Sequence, residues 1–158
     1  MARITIYYLL AFLAAFTAAA VVEISPPEDE VQKIPLDIKI VENIEDFLKD
    51  HPGMEVVEMK MEQKALVRTY TLGSPVSGDS LLAAARESFS SSTPRNFQTT
   101  IRYSGGTVRY VIVQVQQTSN IGRAYVISGG IGQRSIAYVI EAGSTTQFIY
   151  TTNIYGRF

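Results

Sequence analysis

Phe97-Gln98-Thr99-Thr100-Ile101-Arg102-Tyr103-Ser104-Gly105-Gly106-Thr107-Val108-Arg109-Tyr110-Val111-Ile112-Val113 decides the fold class. Phe97, Thr99, Ile101 and Tyr103 alternate with Gln98, Thr100 and Arg102, and Val108, Tyr110 and Ile112 alternate with Arg109, Val111 and Val113. Period-two patterning on both sides of a Gly-Gly pair predicts a β-hairpin with Gly105-Gly106 as its turn. In that register Tyr103 faces Val108, Ile101 faces Tyr110 and Thr99 faces Ile112, forming one core face. The same register sets Arg102 opposite Arg109. Like charges face to face cost stability, so the two either splay into solvent or hold an anionic or partner group between them.

Reading outward, the runs Arg134 to Glu141 and Gln147 to Tyr155 flank Gly143-Ser144 and predict a second hairpin. Further strand-like runs lie at Val56 to Met61, Lys64 to Leu72 and Ala124 to Ser128, while Leu81 to Glu87 fits one helical turn or a short strand. Ser88-Phe89-Ser90-Ser91-Ser92-Thr93-Pro94 reads as a polar loop. About six or seven closely spaced strands with Gly-rich turns predict an all-β domain over 67–158, an antiparallel sandwich or a partly closed barrel. Ahead of it, 36–66 carries a short helix and a first strand region. The helix is expected from Ile40, Val41, Ile44, Phe47 and Leu48 and ends at His51-Pro52-Gly53.

The N-terminus reads as a targeting segment. Met1-Ala2-Arg3 precedes an apolar run from Ile4 to Phe16, and Ala18-Ala19-Ala20 supplies small residues for cleavage. That pattern predicts a signal peptide over 1–20, removed near Ala20, and a secreted extracellular product. No Lys or Arg follows closely, so no stable membrane anchor is expected. From Val21 to about Pro35 the acidic, proline-bearing sequence predicts a flexible leader, read as a solvated tail in the absence of a dibasic processing site. Charge divides the rest: 21–66 sums to -7 and 67–158 to +5, with no Lys after Lys64. Two readings of this division stay open: Arg68, Arg86, Arg95, Arg123 and Arg134 form a basic face with Arg102 and Arg109 that the acidic segment folds over, or the arginines are scattered around the body and the acidic segment solvates it.

Composition excludes several chemistries. With no Cys there is no disulfide, thiolate nucleophile or zinc knuckle, and a single His cannot build a poly-His metal site. The net charge of -1 gives no reason to expect direct nucleic-acid binding. Gly129-Gly130-Ile131-Gly132-Gln133-Arg134 lacks the Gly-Lys-Ser/Thr of a phosphate loop and is followed by a strand, so it reads as a tight β-connection. His51 lies in a helix-ending turn without an evident acid–base partner, and Asp79, Glu87 and Glu141 stand isolated. The expectation is a protein that is not an enzyme, has no cofactor or metal, and binds an extracellular protein or a small ligand.

Tyr70-Thr71-Leu72-Gly73, Ser77-Gly78-Asp79-Ser80-Leu81-Leu82, Ile101-Arg102-Tyr103, Tyr125-Val126-Ile127-Ser128-Gly129-Gly130-Ile131-Gly132 and Asn153-Ile154-Tyr155-Gly156-Arg157 occur in that order. Over about Tyr70 to Arg157 the chain resembles the insect family named after multiprotein bridging factor two, a transcription activator with secreted-type members. The resemblance implies non-enzymatic coactivation, with contact to a bridging factor and the general transcription machinery. Its motif residues, Gly73, Gly78, Asp79, Gly129, Gly130, Gly132, Tyr155, Gly156 and Arg157, read as structural.

Overall fold

The computed structural model describes residues 31–35 and 37–158. The signal peptide and most of the acidic leader lie outside the described residues. The elements are β1 (Gln32–Lys33), β2 (Ile38–Val41), α1 (Asp46–Asp50), β3 (Val57–Glu58), β4 (Lys60–Lys64), β5 (Val67–Gly73), β6 (Ser80–Ser104), β7 (Thr107–Gln117), β8 (Ile121–Gly129) and β9 (Ser135–Arg157). The fold is all-β, a nine-stranded sheet with the order β1-β6-β9-β7-β5-β4, to which β2, β8 and β3 add. The sheet stays open, so the barrel alternative is not formed.

Two long strands organise everything else. β6 and β9 pair antiparallel from Ser80↔Gly156 to Ser104↔Ser135 and bend midway. At the bend four residues of β6, Ser91 to Pro94, span the step that Thr146 alone makes between Thr145 and Gln147 on β9. β6 therefore takes the longer outer track. Beyond the bend the sheet faces itself: Tyr138 Oη and Thr152 Oγ1, both on β9, hydrogen-bond at 2.5 Å, and Phe97 stacks on Phe148 with centroids 5.7 Å apart. The result is a two-layer sandwich whose layers share β6 and β9. One layer holds β2, β8 and β3, and the other holds β1, β7, β5 and β4.

Both expected hairpins are corrected by this arrangement. β9 lies between β6 and β7, so Ile101 pairs with Tyr138 and Tyr110 with Tyr155. Gly105-Gly106 carries the chain from one layer to the other instead of reversing it within a plane. The runs flanking Gly143-Ser144 form one strand, with Ser144 at φ 50°, and they oppose each other across the core. Leu81 to Glu87 is strand, and the Ser-rich stretch from Ser88 to Pro94 lies inside β6 at its bend. The hairpins among the described residues are β4–β5, turning at Ala65-Leu66, and β8–β9, closed by the Gly129 to Arg134 connection, as expected of that glycine-rich segment.

A single extra residue also corrects the buried face. Val108 pairs with Gly156 and Tyr110 with Tyr155, leaving Arg109 as a bulge. An inserted residue exchanges the two faces of everything after it. Val108, Val111, Val113 and Val115 are therefore fully buried, whereas Tyr110 and Ile112 stand half-buried on the outside. The core between the layers is formed by these valines with Phe97, Ile101, Tyr103, Tyr138, Ile140, Phe148, Tyr150 and Ile154. Each large side chain buried there contributes about 1.5–3 kcal/mol relative to exposure.

The N-terminal segment differs from expectation in two places. Ile40 and Val41 pair with Phe97 and Asn96 as strand β2, so the helix shrinks to the single turn Asp46–Asp50, ended at His51. β-branched residues beside an open strand edge gain more from pairing than from a short helix. The end of the leader is docked: Gln32 and Lys33 pair in parallel with Ala83 and Ala84, and Ile34 is buried.

Candidate functional site

The motif residues scattered over the β domain meet at the end of the sandwich where β6 passes to β7 and β8 to β9. Gly132 N–H donates to Val108 O at 2.7 Å, Val108 N–H to Gln133 O at 2.8 Å, and Gly105 N–H to Arg134 O at 2.9 Å. These bonds tie the Gly129-Gly130-Ile131-Gly132 connection to the link between layers. Gly73, at φ +74°, packs under the same connection, where a Cβ would lie 2.2 Å from Arg109 O and 2.9 Å from Ile131 Cδ1. At Gly156 a Cβ would lie 1.9 Å from Thr107 O, so only glycine allows β7 and β9 to approach this closely.

Asp79 is the charged centre of this end. The turn before β6 positions it: Asp79 N–H donates to Val76 O at 3.1 Å, and Gly78 takes φ +85°. Arg109 Nη1 lies 3.2 Å from Asp79 Oδ1, and Arg157 Nε lies 3.7 Å from the same oxygen. The bulge frees Arg109 from the pleat and lets it reach Asp79. The Asp79 side chain is only 4% exposed, and its Oδ2 is buried with no hydrogen-bond partner. Beside it opens a cavity of about 370 Å³ lined by Asp79, Pro75, Val76, Tyr110, Ile112 and Tyr155. The Tyr110 and Tyr155 rings stack with centroids 6.1 Å apart.

Arg102 and Arg109 are not brought together. Arg102 pairs with Ala137 and is exposed on the other layer, where it lines a separate cavity of about 450 Å³ with Asp37, Lys39 and His51. His51 sits in its turn as expected, with Nδ1 2.7 Å from Phe47 O and its ring stacked on Phe47. Among the described residues no three His, Cys, Asp or Glu side chains are grouped to hold a metal.

Across the charge division no ion pair joins the two segments among the described residues. Among the described residues the ion pairs of the acidic segment join its own members, Lys39–Asp37, Lys49–Glu45, Lys49–Asp46 and Lys60–Glu62. Among the described residues three arginines of the body pair with its acids, Arg109 and Arg157 with Asp79 and Arg123 with Glu141. Arg68 is buried, donating to Gly122 O at 2.8 Å and to Asn120 O, so it belongs to no basic face.

Sequence reading missed the most buried carboxylate. Glu141 is 0% exposed, with Oε2 2.6 Å from Arg123 Nε and Oε1 accepting Tyr125 Oη at 2.9 Å. Burial pushes the Glu141 carboxyl up, opposed by Arg123 and Tyr125, while burial and the Glu141 charge push the Tyr125 phenol up. Arg123 also donates to Ile44 O at 3.2 Å, clasping the α1 segment to the sheet. The β8–β9 turn gave only a partial signal, because counting back from Gly129↔Ile136 sets Arg123 opposite Ala142, and the register shift between Val126 and Ser128 moves it opposite Glu141.

An all-β sandwich folded about two bent strands, with its glycines and one carboxylate bracing the closed end, defines the class. The family model described as Transcription activator MBF2 matches residues 72–156, and the chain belongs to that family. No curated protein and no solved structure matches it significantly.

Proposed function

We propose that this protein is a non-catalytic binding domain that acts outside the cell. The observation that supports it most is the cavity at the closed end, whose stacked Tyr110 and Tyr155 face outward because the bulge at Arg109 exchanges the faces of β7. A concave site with aromatic walls and few polar groups is suited to recognition. The single His is engaged with Phe47 O and has no carboxylate relay. The extracellular setting rests on the three-part N-terminal sequence from Met1 to Ala20. The test is expression of the full chain in eukaryotic cells, followed by fractionation and mass spectrometry of the N-terminus. Material in the medium that begins near Val21 is expected.

The family description favours a second reading, a transcription activator; in that reading the protein bridges a DNA-bound regulator and the general transcription machinery. Nuclear protein retaining Met1 to Ala20 would overturn the first reading in favour of this one.

A further inference from the structure

We infer that the cavity beside Asp79 is a binding site for a small, neutral ring compound that carries a hydroxyl group. Three observations select that chemistry. The walls are apolar or aromatic, with Pro75, Val76 and Ile112 around the Tyr110 and Tyr155 rings, so the body of the ligand is a ring that stacks and excludes water. The charged group at the wall is an acceptor: Asp79 Oδ2 is buried and unpartnered, and a buried carboxylate oxygen without a hydrogen bond is costly. A donor on the ligand supplies the missing bond. Charge then decides between donors. Arg109 and Arg157 converge on the single Asp79 charge, leaving the cluster with one positive charge in excess, which disfavours an ammonium and leaves a hydroxyl.

The inference rests on the reading of the protein as a binding domain and names the ligand class of its cavity. The two tests fail separately, since secretion is read from the mature N-terminus and cavity occupancy from titration of the folded protein. The probes are 2-naphthol, 2-methoxynaphthalene, which has the same ring system without the donor, and 2-naphthoate, which carries a negative charge. Each is titrated into the protein, and methyl resonances of Val76 and Ile112 are followed by NMR. Saturable shifts with 2-naphthol are expected, with binding about 10-fold or more tighter than for 2-methoxynaphthalene, the scale of a hydrogen bond to a charged group. Asp79→Asn should remove that preference, and Val76→Glu, at an exposed position on the rim, should weaken both neutral probes. If Asp79→Asn does not fold, the three probes on the unaltered protein still decide. Equal affinity for 2-naphthol and its methyl ether, tighter binding of 2-naphthoate, or no saturable shift with any probe would overturn the inference.

Discussion

Tyr138 and Thr152 lie on one strand, yet the Tyr138 hydroxyl and Thr152 Oγ1 meet at 2.5 Å in the core. A strand touches itself only when it bends through the thickness of a sandwich, and this contact marks where the two layers of the sheet close on each other. Thr152 Oγ1 also lies 3.4 Å from Ile112 O, so it can accept from Tyr138 while donating to the backbone.

Tyr138→Phe leaves that buried hydroxyl without its donor and is expected to destabilise by about 1–3 kcal/mol. Thr152→Val in the same background should cost less than it does alone, because the partner is already gone and only the 3.4 Å bond to Ile112 O remains to be lost. A double-mutant cycle by urea denaturation measures this, and additive losses would mean that the contact carries no coupling energy.

Gly156→Ala is expected to destabilise by about 1–3 kcal/mol, because the added Cβ meets the Thr107 carbonyl at 1.9 Å and β7 must move. Gly53→Ala, where a Cβ meets nothing within 4 Å, isolates the backbone-conformation cost at φ +87°. Comparing their thermal unfolding separates the steric effect from the conformational one.

Arg123→Ala should cost about 3–5 kcal/mol, since it leaves the buried Glu141 carboxylate without its ion partner. Adding Glu141→Gln removes the stranded charge and should recover part of the loss. Denaturation midpoints of the single and double variants report the recovery; a double variant less stable than Arg123→Ala alone would contradict it.

The strands around Phe97 to Val113 and from Arg134 to Tyr155 were legible in the sequence because alternation is a local property, whereas β2 and the Ser88 to Pro94 part of β6 were not. Ile101, Tyr103 and Val108 read correctly as core for that reason. Strand partners were not legible, because nothing near Gly105-Gly106 shows that the link crosses between layers and that β9 enters between β6 and β7. The bulge at Arg109 was equally silent: one extra residue sends Tyr110 and Ile112 outward, so the cavity walls were read as core. Asp79 looked isolated because both of its arginines arrive from strands far along the chain.

Alkaline pH should unfold the protein cooperatively. Burial raises the phenols of Tyr70, Tyr125, Tyr138 and Tyr150 above 10.0 in the folded state. Below pH 10 both states are protonated and these groups have no pH effect. Above it the unfolded chain loses protons that the native state keeps, so stability falls with rising pH. Circular dichroism and phenolate absorbance recorded together should change in one step above pH 10, and ionisation of these tyrosines ahead of unfolding would contradict their burial.

The insertion of β9 between β6 and β7 brings Tyr155 beside Tyr110 and Arg157 to Asp79, and the candidate site depends on it. Interstrand NOE spectroscopy on the isotope-labelled protein tests it most directly. Cross-strand contacts linking Tyr110 to Tyr155, Val113 to Thr152 and Ile101 to Tyr138 are expected. Backbone contacts linking Ile101 to Tyr110 would show β6 and β7 paired as a simple hairpin and would contradict the fold, the cavity and the site together.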